Sequence, residues 1–122
     1  MVARRSGKII NISSVHDARP MPGNSIYNIT KAGLGMLTKS LALELAPHGI
    51  QVNCVAPGAI LTDETRERLG DPEHRARVLA KIPSRAIGAP DDIVGAVLLL
   101  AIRGSEYING TTIYVDGGLL LQ

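Results

Sequence analysis

The spacing of apolar positions changes period several times along the chain, and each change marks an element. Lys8, Ile9, Ile10, Asn11 and Ile12 form a short β-branched run that ends in Ser13-Ser14. Such a run predicts a buried strand whose C-terminal end meets a polar loop. Pro20, Pro22 and Gly23 keep that loop irregular. From Ser25 the period lengthens: Leu34, Leu37, Leu41 and Leu45 recur at helical spacing until Pro47-His48-Gly49 supplies the stop. That pattern predicts a helix of about 20 residues. Residues 50–55 are then apolar on both faces, as in a parallel strand covered by helices, and Pro57-Gly58 breaks the run.

Residues 62–85 are more polar and read as exposed. Thr62-Asp63-Glu64 opens one short helix, and Asp71-Pro72-Glu73 opens another with proline in its first turn. Pro90-Asp91-Asp92 begins a helix through Val94, Val97, Leu98 and Ala101, its acidic residues at the positive end, and Arg103-Gly104 ends it. A last strand at residues 111–115 runs into Asp116-Gly117-Gly118. The order strand, helix, strand, helices, strand predicts an α/β fold with right-handed parallel crossovers. Three strands make a small sheet, and residues 8–12 leave a bare apolar edge unless something pairs with them.

Composition excludes several function classes. A length of 122 residues suits one domain or part of one. The 13 basic and 11 acidic side chains are interspersed, and three Tyr with no Phe or Trp leave few stacking platforms, which argues against nucleic acid. The apolar run at residues 94–102 is shorter than the ~20 residues a membrane-spanning helix needs. Residues 1–5 lead into no signal-type stretch. The lone Cys54 in its apolar strand reads as a core residue and fits a reduced, cytoplasmic setting. His16, His48 and His74 are too scattered to hold a zinc ion, so no metal is expected.

Candidate chemistry begins with Tyr27 and Lys31, which lie four apart and therefore project from one helix face about a turn apart. An ammonium beside a phenol stabilises the phenolate, which makes the phenol a better proton donor and acceptor. Ser14 stands at a strand end, where open α/β sheets bind ligands, and its hydroxyl suits a carbonyl oxygen on which charge develops. Taken alone, the Tyr-Lys pair also reads as a solvated face, and Ser13-Ser14 as a turn or cap. His16 and Asp17 read as a solvated loop pair, Asp63 and Glu64 as capping residues, Tyr107 and Tyr114 as packing residues, and Arg4 and Arg5 as a small solvated cluster.

Four motifs in order carry a family resemblance. They are Asn11-Ile12-Ser13-Ser14, Tyr27-Asn28-Ile29-Thr30-Lys31 with Ala32-Gly33 following, Val52-Asn53-Cys54-Val55-Ala56-Pro57-Gly58, and Tyr114-Val115-Asp116-Gly117-Gly118. With these, nearly the whole chain resembles the classical short-chain dehydrogenase/reductase family, and the gap of thirteen from Ser14 to Tyr27 selects Ser14 over Ser13. The resemblance implies a catalytic set of Ser14, Tyr27 and Lys31. Tyr27 would be the general acid/base, Lys31 its partner and a ligand of the nicotinamide ribose, and Ser14 the group that orients the substrate carbonyl. Pro57, Gly58, Ile60 and Thr62 would complete the cofactor contacts, and residues 62–85 would form a lid over the substrate. The implied reaction is hydride transfer between NAD or NADP and a small alcohol or carbonyl compound, in a homo-oligomer. Within the family the chain looks most like 3-oxoacyl-carrier-protein reductases and sugar or secondary-alcohol dehydrogenases.

Three features of that family have no counterpart among these residues: its glycine-rich phosphate loop, its Asn-Asn-Ala-Gly strand and its catalytic asparagine. The expected architecture is thus the C-terminal part of a doubly wound Rossmann-like parallel sheet, with three strands present and the N-terminal strands absent. By resemblance Met1 corresponds to an internal residue of a longer protein, so the chain is expected to be a truncated gene model, a fragment or a decayed copy. The alternative reading is a non-catalytic pseudoenzyme that acts as an assembly module. Without phosphate-binding amides at a helix N-terminus a dinucleotide lacks its main anchor. Calorimetric titration of the purified 122-residue chain with NADH or NADPH is therefore expected to show no micromolar binding, and a micromolar Kd would overturn this expectation.

Overall fold

The computed structural model describes residues 1–122. Strand β1 (Gly7–Ile12), helix α1 (Ser25–Leu45) and strand β2 (Ile50–Pro57) are followed by two short helices, α2 (Asp63–Gly70) and α3 (Pro72–Ala80). Helix α4 (Asp91–Ala101) and strand β3 (Thr112–Val115) complete the order. The strands form one parallel sheet in the order β1-β2-β3. Gly7 pairs with Ile50 and Ile12 with Val55, while Cys54 pairs with Thr112 and Pro57 with Val115. The α/β architecture anticipated from the periodicities is the one observed.

Each helix begins where the local chemistry places it. The Thr62 hydroxyl accepts the Thr65 amide, and Thr65 in turn accepts the Thr62 amide at 2.8 Å, which starts α2. The Asp71 carboxylate accepts the amides of Glu73 and His74 at the head of α3, with Pro72 in the first turn. Asp63 and Glu64 lie inside the first turn of α2, where their charge suits the helix dipole, while the cap itself is Thr62. The segment is not wholly exposed, since Leu69 and Ile82 are buried.

The core lies between α1 and β2. Ala42, Ile50 and Val52 are buried together, with Ile9, Leu41 and Leu45 packed against them. The buried positions of α1 are Thr38 and Ala42, and Leu37 of the anticipated leucine stripe is half exposed. Small residues at 38 and 42 let the helix backbone approach the sheet closely, and this rotates the contact face away from Leu37. The central strand carries a polar exception, because Asn53 is buried. Its side chain donates to the Ile108 carbonyl at 2.8 Å and accepts the Thr111 amide at 3.1 Å, so no polar group is orphaned there. Asn109 does similar work from the loop before β3, accepting the Val52 amide at 2.8 Å and donating to the Ala42 carbonyl at 3.0 Å.

Two expectations need correction. Strand β1 is an edge strand of intermediate burial, with Ile12 exposed, because only β2 pairs with it. Tyr107 packs against nothing and is fully exposed, since it sits in the turn after α4 and points to solvent. The chain also exposes Ile26, Ile29, Met36 and Leu43 on α1 and Leu98, Leu99 and Ile102 at the end of α4.

Replacing Asn109 by Ala strands a buried amide and a carbonyl at once, and is expected to cost about 2–4 kcal/mol of stability in urea unfolding. Gly58→Ala is expected to destabilise by about 1–3 kcal/mol, because a Cβ there would lie 2.7 Å from the Asp116 Cα. A midpoint unchanged in either variant would contradict the packing described.

Candidate active site

Because the strands are parallel, Ile12, Pro57 and Val115 end on the same side of the sheet, the side at which open α/β sheets take ligands. The Ser13 amide donates to the Val55 carbonyl at 2.8 Å and so carries the β1–β2 ladder one residue past the strand. Beyond it the chain turns into a single helical turn, Val15–Asp17, capped by Ser14 in extended backbone geometry.

The two serines differ in what their hydroxyls do. Ser13 Oγ lies 2.9 Å from Asp17 Oδ2 and 3.1 Å from the Lys31 carbonyl, so its hydrogen is committed inside the chain. Ser14 Oγ accepts the His16 amide at 3.2 Å, and its own hydrogen meets no acceptor of the chain. Both residues are buried. Only Ser14 therefore keeps a donor for something outside the chain.

Tyr27 and Lys31 stand in the first two turns of α1. The Lys31 ammonium lies 5.6 Å from the centre of the Tyr27 ring and donates to the Ile12 carbonyl at 3.0 Å. One of its three N–H groups is thereby used and two remain. The Tyr27 side chain is partly exposed, its hydroxyl has no partner in the chain, and the His16 ring meets its ring edge-on with centroids 6.1 Å apart. Contacts therefore run from Ser14 through His16 to Tyr27, Lys31 and Ile12, and these gather the three anticipated residues on one rim.

Pro57 and Gly58 lie at the end of the neighbouring strand, where the Gly58 amide donates to the Val115 carbonyl at 2.9 Å. Ile60 forms a bridge with Gly88 and lines a cavity of about 200 Å³ with Ser84, Ile87, Asp92 and Asp116. The Thr62 hydroxyl is occupied in the cap of α2. Ile60 and Thr62 are thus further along the loop than Pro57 and Gly58, and Thr62 has local partners that compete with any ligand.

His16 and Asp17 are not the solvated pair their loop position implied. Both are half buried; His16 Nδ1 lies 2.9 Å from the Arg19 carbonyl, and Asp17 accepts hydroxyls from Ser13 and Tyr114. The signal available in the sequence was the run Ser14-Val15-His16-Asp17, which has the form of a helix start with an acidic residue three positions after the serine. Tyr114 is likewise more than a packing residue. Desolvation, and then its hydrogen bond to the Asp17 carboxylate, push its phenol up to about 12. Burial pushes the Cys54 thiol up as well, which makes it a poor nucleophile and supports its core role. No group of three His, Cys, Asp or Glu side chains is placed to hold a metal ion, and no helix is long and apolar enough to cross a membrane.

Residues 1–120 match the family model described as enoyl-(acyl carrier protein) reductase. The chain is similar to 3β-hydroxysteroid dehydrogenase 1 of Eggerthella lenta, with 50% identity over 94% of this chain and 44% of that protein. It is also similar to a 3-oxoacyl-(acyl-carrier-protein) reductase of Rickettsia bellii, with 46% identity over 99% of this chain and 49% of that protein. Among solved structures, the gluconate 5-dehydrogenase of Burkholderia cenocepacia, determined with NADP and tartrate, superposes with a TM-score of 0.95 at 37% identity over 99% of this chain and 48% of that one. The chain spans about half the length of the curated relatives it matches. With a parallel three-stranded sheet, a family match over almost every residue and relatives that are oxidoreductases, the chain belongs to the short-chain dehydrogenase/reductase family.

Proposed function

We propose that these residues form the catalytic half of an NAD(P)-dependent oxidoreductase that interconverts a small alcohol and the corresponding carbonyl compound. The observation that supports the reading is an uncommitted Ser14 hydroxyl hydrogen at the end of β1, linked through His16 to Tyr27 with its unpartnered hydroxyl, beside a Lys31 ammonium with two free N–H groups that donates to the Ile12 carbonyl.

A nicotinamide, when bound, supplies or accepts the hydride. The rim suits its sugar and ring, since Lys31 has donors to spare and Pro57-Gly58 ends the adjacent strand; the glycine-rich cradle for its phosphates is not among these 122 residues. NADP is present in three structurally similar dehydrogenases, which supports NAD or NADP as the cofactor. In the reducing direction Ser14 donates to the substrate carbonyl oxygen and fixes its orientation. Tyr27 then passes its phenolic proton to that oxygen as negative charge gathers on it. Lys31 stabilises the resulting phenolate through its positive charge and holds the ribose through a remaining N–H. In the oxidising direction Tyr27 takes the proton back. Pro57, Gly58 and Ile60 would line the nicotinamide side, Thr62 would approach it from the head of α2, and residues 62–85 would cover the substrate.

The apolar faces left open on α1 and α4 support a homo-oligomer, and the free buried thiol of Cys54 suits a cytoplasmic setting. The test is a polypeptide joining these residues to the dinucleotide-binding half of the Rickettsia bellii relative. In it, Tyr27→Phe is expected to lower kcat by about 10²–10⁴-fold with little change in dinucleotide affinity. An unaltered kcat would reject the role of Tyr27. A defined oligomer with no turnover before any substitution would favour a non-catalytic assembly module.

A further inference from the structure

We propose that Asp17 is a positioning residue: its carboxylate ties the end of β1 to β3 and to α1, and thereby holds the Ser14 hydroxyl in place. The importance of that hydroxyl rests on the catalytic reading above; the tie itself does not.

Three elements meet at this carboxylate. Ser13, at the end of β1, donates to Asp17 Oδ2 at 2.9 Å. Tyr114, in β3, donates to Asp17 Oδ1 at 3.0 Å across 97 residues of sequence. Gly35 of α1 lies beside the group, where a Cβ would sit in ordinary van der Waals contact, 3.5 Å from Asp17 Oδ2. The same Ser13 hydroxyl reaches the Lys31 carbonyl, so the loop, the catalytic helix and the third strand share one hydrogen-bonded junction. Neither of the chain's two ion pairs involves Asp17. Two neutral hydroxyls therefore hold the carboxylate, and they hold it by direction, because each of its oxygens faces one donor.

Ser14 needs such an anchor. Its hydroxyl's one hydrogen bond inside the chain comes from the His16 amide, and its carbonyl accepts the Asp17 amide at 2.9 Å, both within the turn that Asp17 terminates. Without the Asp17 carboxylate the turn keeps the Ser13 amide bond to Val55, the Arg19 bond to the Leu119 carbonyl and the buried Val15, but it loses its side-chain link to β3 through Tyr114. The Tyr114 phenol, pushed up to about 12, stays protonated and a donor at neutral pH.

Amide hydrogen exchange on the 122-residue chain tests the tie without requiring activity. Asp17→Ala is expected to speed exchange at the His16 amide by about tenfold, the loss of roughly one hydrogen bond of local protection, while Val52 and Cys54 in β2 keep their rates. Asp17→Asn retains one acceptor oxygen, so it is expected to recover most of the His16 protection. In the same Asn variant the ultraviolet step of the tyrosinate, assigned with Tyr114→Phe, is expected to move down from that of the parent, because the carboxylate charge is gone while the desolvation stays. If Asp17→Ala does not fold, the Asn variant decides: a His16 rate and a Tyr114 step both identical to the parent would overturn the proposal. So would acceleration in Asp17→Ala that is no greater at His16 than in β2. An unimpaired Tyr27→Phe enzyme would remove the catalytic reading and leave these exchange results to stand or fall separately.

Discussion

One hydrogen bond, from the Ser13 amide to the Val55 carbonyl, sets the position of everything chemical in this chain. It holds β1 and β2 in register to the last residue and fixes the point at which the backbone leaves the sheet. Amides and carbonyls of successive strand residues face opposite neighbours, so the bond from Ser13 to β2 leaves the Ile12 carbonyl facing the open edge. Lys31 reaches that carbonyl from α1. Register, loop exit and ammonium position are therefore one constraint, and a slip of one residue would turn Ser14 and the Lys31 acceptor to other faces together.

Polar groups are spent unevenly around that constraint. Ser13, Asn53 and Asn109 are fully engaged with backbone or carboxylate partners, and they join the sheet to α1 and to the loop before β3. Ser14 and Tyr27, by contrast, keep hydroxyl hydrogens that nothing in the chain accepts. The buried Asn28 Oδ1 on α1 is likewise without a partner, so the unused hydrogen-bonding capacity gathers around the start of α1 and the end of β1, where a ligand would use it.

The apolar surface has a related asymmetry. The core around Ala42, Ile50 and Val52 is compact, yet α1 and α4 turn isoleucine, methionine and leucine side chains outward, and β1 lacks a second neighbour. The relatives are about twice as long as this chain. An apolar face is stable in water only at a cost proportional to its area, so these faces are where additional protein contributes most to stability.

The sequence by itself determined the elements. Leucine spacing, Pro47-His48-Gly49 and Pro57-Gly58 located α1 and β2 to within about two residues, because periodicity and breakers act locally. It also offered an i, i+4 Tyr27-Lys31 pair and a serine at a strand end, but spacing alone left these open as a solvated face and a turn, and it was the family resemblance that singled out Ser14, Tyr27 and Lys31. Tertiary structure decided which serine hydroxyl is free, since Ser13 is occupied by Asp17 and by the Lys31 carbonyl from a helix 18 residues away. It alone decided that Thr38 and Ala42, rather than Leu37, face the sheet, that Tyr107 is exposed, and that Asp17 and Tyr114 meet. Those outcomes depend on the packing of segments remote in sequence, and no local pattern records the distance between β1 and β3 across the strand that separates them.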